Sequence, residues 1–102
     1  MAHVLAIYKQ PTDPKAFDAY YHDTHVPLAK TMPGLRGYEI NSGPVTVSTG
    51  AAAVHLVAVL HFDSMADIQT ALASPEGKAT AADLPNFASG GVELLMFDSR
   101  TI

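Results

Sequence analysis

The run VHLVAVLHF, residues Val54–Phe62, is apolar at positions of both parities. Successive side chains of a strand point to opposite faces, so a strand like this needs a cover on each side. A second run, VELLMF at Val92–Phe97, makes the same demand. The two together exclude a sheet with one wet face. They call for a sheet held between two layers.

The remaining elements supply one of those layers. HVLAIY, His3–Tyr8, is rich in large apolar residues, stops at Gln10-Pro11 and reads as a strand. A helix follows, with Asp13 as N-cap and Pro14 in the first position. Its buried stripe is expected at Phe17, Tyr20 or Tyr21, Thr24 and Leu28. Pro27 disfavours helical geometry at Val26, so the regular helix should end or kink near His25. Pro33-Gly34 makes a turn into an extended segment interrupted by Gly43-Pro44, which marks an edge strand or a bulge. After Val54–Phe62, Asp63 or Ser64 caps a second helix to about Ala73. Ser74, with Pro75 and Glu76 behind it, caps a short continuation.

The order is strand, helix, strand, strand, helix, strand. Right-handed crossovers then predict a ferredoxin-like βαββαβ fold, an α+β domain over residues 1–102 with a four-stranded antiparallel sheet and both helices on one face. No element is left to cover the other face. A second copy, packed sheet to sheet, would cover it, so a homodimer is expected.

Composition limits the partners. The 102 residues carry a formal net charge of −4 with only six Lys and Arg, a poor match for nucleic acid or an anionic membrane. Without cysteine there is no disulfide, thiolate metal site or cysteine nucleophile. No signal peptide is visible at the N-terminus and no apolar run has membrane-span length, which points to the cytoplasm. A small, mostly apolar molecule is the expected ligand.

The chemistry concentrates in AYYHDTHVPLAKTMPGLRGYE, Ala19–Glu39. His25 sits at a helix end, where an imidazole moves protons near neutral pH or simply satisfies the last carbonyls. Tyr21 is four residues earlier and shares its helix face. Tyr8 lies on the first strand and Tyr38 begins the strand after the turn. His22 and His25 have a spacing that some helical metal sites use, but no further ligand is fixed near them, and His22 reads as a solvated residue. His55 and His61 share parity with Val57 and Val59, so all four should face one way. His61 is the better candidate for a pocket, and His55 should reach water at the strand end. Phe17 and Tyr20 read as core. There is no phosphate loop and no nucleophile elbow.

LAIYKQPTDPKAFDAYYHDTHVPLAKTMPGLRGYE resembles the EthD family, named for ethyl tert-butyl ether degradation. The likeness is sharpest at Tyr8, Phe17 to Tyr21, His25-Val26-Pro27, and Pro33-Gly34-Leu35 through Tyr38. It implies a dimeric α+β barrel with a pocket between the sheet and the helices of each subunit. It also implies the handling of a small organic compound (ether, aromatic or polyketide-like) with an oxygenase system as a partner. On this reading the protein is a cofactor-free, metal-free acid/base enzyme of oxidoreductase-linked catabolism. His25 and Tyr21 are catalytic; Tyr8, Tyr38 and His61 bind substrate. The alternative is a carrier, scavenger or accessory partner of the oxygenase, without turnover.

Overall fold

The computed structural model describes residues 1–102. Its first half runs β1 (Ala2–Lys9), α1 (Pro14–Tyr20), a wide turn (Tyr21–His25), α2 (Val26–Ala29) and β2 (Gly37–Ile40). The second half runs β3 (Thr46–Val47), β4 (Gly50–Ala51), β5 (Val54–Phe62), α3 (Met65–Ala73), α4 (Pro75–Asp83) and β6 (Val92–Asp98). The sheet order is β2-β5-β1-β6 with every pair antiparallel, the ferredoxin-like arrangement expected from the element order. The two long apolar strands β1 and β5 take the centre, and the strand that leads to Gly43-Pro44 takes an edge.

The helices cover one face. Val4, Ala6 and Tyr8 of β1 and Leu56, Ala58, Leu60 and Phe62 of β5 are buried there against Phe17, Tyr21, Ala29, Ile68 and Ala71. The opposite face presents Leu5 and Ile7 of β1, Val57 and Val59 of β5, and Leu95 and Phe97 of β6, all partly or largely open. β6 is exposed on both sides: Leu94, Leu95, Met96 and Phe97 each keep more than two-fifths of their surface.

The caps are those the sequence predicts. The Ala16 N–H donates to Asp13 Oδ1 at 3.1 Å, and Ser64 accepts from the Asp67 N–H. Ser74 both ends α3 and caps α4, accepting from the Gly77 N–H at 3.0 Å. Gly77 is needed at that junction, since a Cβ there would lie 2.0 Å from the Ala71 carbonyl oxygen.

Two local expectations are corrected. The first helix is interrupted near His25 as expected, but by a widened turn instead of an end, and it buries neither Thr24 nor Leu28 fully. Its α-geometry stops at Tyr20 and passes through one π-type turn, in which the Val26 N–H bonds back to the Tyr21 carbonyl. It then resumes, with Val26 itself helical. The wider turn relieves the clash a proline ring makes with the preceding α-helical turn, so Pro27 is tolerated directly after it. The turn also advances the buried stripe by one residue. Phe17, Tyr21, His25 and Ala29 face the core, while Thr24 is exposed and Leu28 only half-buried.

The second correction concerns the segment after β2. The sheet strand stops at Ile40, and the Asn41 side chain takes over by accepting from the Val57 N–H at 2.8 Å. Beyond Gly43-Pro44 the chain forms a separate β3–β4 hairpin. No helix is long and apolar enough to cross a membrane.

Candidate functional site

The π-type turn turns His25 inward. The residue is buried, 3 % exposed, and its Nδ1 lies 2.9 Å from Asp83 Oδ2 at the end of α4. Asp83 is buried too and accepts two more hydrogen bonds on Oδ1, from the Tyr20 hydroxyl at 2.5 Å and from Asn86 Nδ2 at 3.0 Å. Burial pushes the Asp83 carboxyl up, but the bonds from Tyr20, Asn86 and His25 outweigh it and hold the group below its usual range. Asp83 is therefore ionised and can only accept, which puts the His25 proton on Nδ1. Burial lowers the His25 imidazole against the opposing pull of Asp83, so the ring is neutral at neutral pH. Its Nε2 carries a free lone pair, makes no hydrogen bond to protein and is not sealed off from its surroundings.

His25 forms part of the wall of a cavity of about 60 Å³ between the sheet and the helices. Val4, Ala6, Ala58, Leu60 and Met32 make its apolar walls, and Leu72 and Leu94, both partly exposed, stand at its rim. Tyr8 and Tyr38 bring phenols into it from β1 and β2. Tyr38 pairs with Leu60 in the sheet and so shares its face; Tyr8, opposite Leu56, does the same. The Tyr8 ring lies 5.6 Å from that of Tyr21, which lies 5.5 Å from His25. Burial, then the nearby Tyr38 and Asp83, pushes the Tyr8 phenol up. Burial also raises Tyr38, partly offset by its bond to Tyr21.

Four of the five residues singled out in the sequence thus come together, with distinct positions. Tyr21 is fully buried and does not line the cavity. Its hydroxyl meets that of Tyr38 at 2.5 Å, and burial pushes its phenol up strongly. Tyr21 thus holds the hydroxyl of Tyr38, which with Tyr8 lines the cavity. His61 is separated from the others. It sits on the open face of the sheet, beside His3 and Glu39 and away from the cavity.

His22 is exposed, as expected for a solvated residue. The shared parity of His55 with Val57 and Val59 does not hold. Tyr8 pairs with Leu56 but Lys9 pairs with Val54, so His55 is the extra residue of a β-bulge. The bulge swings its ring towards α1, edge-on to Phe17 at 5.0 Å and 2.7 Å from Asp18 Oδ1. That pair lies in a wider, open groove of about 420 Å³ under the β3–β4 hairpin, away from the buried His25.

Sequence reasoning missed Asp83 and assigned Tyr20 to the core alone. Asp83 gave one signal. A carboxylate in the last turn of a helix faces the negative end of the dipole and needs a compensating partner. Tyr20 packs on Phe87 with ring centroids 5.4 Å apart while its hydroxyl holds Asp83.

A ferredoxin-like α+β chain with a buried histidine–carboxylate pair and two phenols around a small cavity is the class that fold and site define. The EthD domain matches residues 9–91, and the chain belongs to the EthD family. It is 38 % identical over 102 residues to an uncharacterised 11.0 kDa protein of the thcB–thcC intergenic region of Rhodococcus erythropolis, covering 100 % of this chain and 98 % of that one. An EthD family protein of Bacillus halodurans C-125 superposes with a TM-score of 0.89 at 32 % identity, over 98 % of this chain and 99 % of that one. SnoaB of Streptomyces nogalater, a cofactor-independent oxygenase, shares the fold at 15 % identity, with a TM-score of 0.66 over 99 % and 93 % of the two chains.

Proposed function

We propose that this chain binds a small, mainly apolar molecule carrying a phenol or an enolisable carbonyl, and that His25 moves its proton. The carrying observation is the His25 Nδ1 contact to buried Asp83, with Nε2 left unpartnered in a chain whose cavity also receives Tyr8 and Tyr38. The neutral ring accepts a proton from the ligand's O–H or acidic C–H at Nε2. The resulting imidazolium is stabilised by the Asp83 carboxylate, while Tyr38, Tyr8 or both donate a hydrogen bond to the oxygen that gains charge. The proton returns to the ligand at another atom or is passed to Tyr38 and Tyr21. All of this uses the chain's own side chains.

The cavity is small beside the roughly 300–1,000 Å³ of ordinary ligand sites, so a ring-sized ligand requires the rim at Leu72 and Leu94 to yield. The family and the shared fold with a cofactor-independent oxygenase support chemistry of this kind without assigning a substrate. The working unit we propose is a homodimer joined through the open sheet face, whose apolar centre of Leu5, Ile7, Val57, Val59, Leu95 and Phe97 is otherwise left to water.

The test is a pair of variants, His25→Ala and His22→Ala, assayed against a panel of small phenols and enolisable ketones by calorimetric binding and by deuterium exchange of the ligand's acidic C–H. Loss of exchange in His25→Ala alone, with binding retained, supports proton transfer. Binding without exchange in the wild type makes the protein a carrier. Equal behaviour of the two variants removes His25 from the function.

A further inference from the structure

The open face carries a second histidine cluster that the cavity does not use. His3 Nδ1 and His61 Nδ1 are 3.0 Å apart, joining β1 to β5 across the register pair His3↔His61. At one end His61 Nε2 lies 2.5 Å from Glu39 Oε1 on β2. At the other, His3 Nε2 lies 2.9 Å from Ser99 Oγ, and that hydroxyl reaches the Met1 carbonyl at 3.1 Å. The Phe97 ring lies 5.3 Å from that of His3. Both imidazoles are partly buried in the monomer.

His61 has a built seat. Gly37 stands directly opposite it on β2, and a Cβ there would approach the His61 ring to 3.0 Å. The missing side chain is what lets the ring lie over the edge strand towards Glu39.

Counting protons along the chain singles out one state. With three N–H protons on the four ring nitrogens, every contact has one donor and one acceptor. His61 Nε2–H donates to Glu39, one Nδ1–H donates to the other Nδ1, His3 Nε2–H donates to Ser99 Oγ, and the Ser99 hydroxyl donates to the Met1 carbonyl. With two protons, Ser99 has to donate to His3, and the Met1 contact loses its proton. With four, two N–H groups face each other at 3.0 Å and the central bond is gone. The pair is complete only when it shares one extra proton, whose charge the Glu39 carboxylate offsets.

The charged surroundings are sparse. From β2 the pair meets Glu39; from β6 and its continuation it touches Phe97 and Ser99, with Arg100 next in the chain and the Met1 ammonium two residues before His3. Arg36 is engaged with Asp63, Asp98 pairs with Ala2 and so points to the other face, and Glu93 is opposite Ile7 at the far end of the sheet. The helices lie across the sheet and contribute no charge to this face.

We propose that His3 and His61 form a proton-counting switch on self-association through the open sheet face, closed with one shared proton and opened by a second. It rests on the homodimer put forward above. A second proton breaks the link between the central strands and leaves an unpaired charge at the edge of the apolar patch, where the partner's sheet would have to desolvate it. The edge of a patch is also where solvent protons still have access.

The test measures the dimer dissociation constant by sedimentation velocity from about pH 8 to about pH 5, the range in which imidazoles change charge. Wild type is compared with His61→Gln and His3→Gln, and imidazole ¹⁵N shifts are followed in parallel. The switch requires wild-type association to weaken by about tenfold or more on acidification. Acidification should split the imidazole ¹⁵N signals of the paired rings from their shared-proton pattern, and either variant should lose most of the pH dependence. A dimer equally tight at every pH, or pH dependence unchanged in both variants, overturns the switch and leaves the dimer standing. A monomer at every pH overturns the dimer, and the switch with it.

Discussion

Asp83→Asn is the sharpest probe of the buried pair. The carboxylate accepts three hydrogen bonds, two on Oδ1 from Tyr20 and Asn86 and one on Oδ2 from His25. An amide has one acceptor oxygen. Placed where Oδ1 was, it keeps Tyr20 and Asn86 and turns its NH₂ towards His25 Nδ1. That nitrogen must then accept, so the imidazole proton moves to Nε2, the nitrogen that would serve as base. Three charge-assisted bonds become neutral ones at about 1 kcal/mol each, and the lighter desolvation of an amide returns part of this. The expected net loss is about 2 kcal/mol. Urea denaturation reads the stability, and a long-range ¹H–¹⁵N spectrum of the imidazoles reads the tautomer. The variant should be folded, weaker by that amount, and protonated at Nε2. Proton exchange with a ligand should fall even where binding persists. An unchanged Nδ1–H tautomer with unchanged stability would refute the assignment of Asp83 as the group that sets the ring.

The pH dependence of stability should fall off on both sides. His25 and Asp83 both have lowered folded values, so each contributes stability above its unfolded value that is lost on acidification. His25 begins to lose it below about 6.5 and Asp83 below about 3.9, as thermal unfolding across pH would show. Tyr8, Tyr21 and Tyr38 are raised, so the unfolded chain ionises first and stability should be lost above about pH 10, with phenolate absorbance appearing only on unfolding. Tyr38→Phe should weaken ligand binding at little stability cost. Tyr21→Phe, which leaves the cavity-facing phenol in place but unheld, should change affinity less and lower stability by about 1 kcal/mol, as titration calorimetry and denaturation would show. Leu95→Asp, on the open face opposite Leu5, should give a folded monomer by light scattering, whereas a persisting dimer would place the interface elsewhere.

Fold and site were legible to different depths. Asp13, Ser64 and Ser74 announce their helices because a cap is a local hydrogen bond between neighbours in sequence. The two-faced strands announce the middle of the sheet because apolar burial follows strand parity. The π-type turn is a different matter. It adds one residue to a helical turn, and α-helical spacing from Phe17 admits both Tyr20-Thr24 and Tyr21-His25 as the buried stripe, so only the wider turn decides for His25. Asp83 lies 58 positions from His25, and only the packed helices bring them together. A local reading could see that the carboxylate was poorly placed for a helix end, not which group it was waiting for.

Strand parity also explains why the histidines were sorted wrongly and what their sorting achieves. One shared face for His55, Val57, Val59 and His61 assumes an unbroken ladder. The bulge opposite Tyr8 and Lys9 breaks it at the first of these residues, sending His55 to the helix side while His61 keeps the expected face. On β1 the alternation is unbroken, so His3, Leu5 and Ile7 face one way and Val4, Ala6 and Tyr8 the other. The sheet thereby separates two kinds of imidazole. His25 is buried under the helices at the wall of the cavity, neutral, and held in one tautomer by a buried carboxylate. His3 and His61 lie on the open face, joined to each other and to an exposed glutamate, where a further proton breaks a contact instead of preparing a base. A proton-transfer group has to be shielded from solvent protons to act on its ligand's, whereas a group that responds to pH has to meet them. With the roles proposed for them, a single layer of β-sheet meets both requirements by placing the two groups on opposite faces.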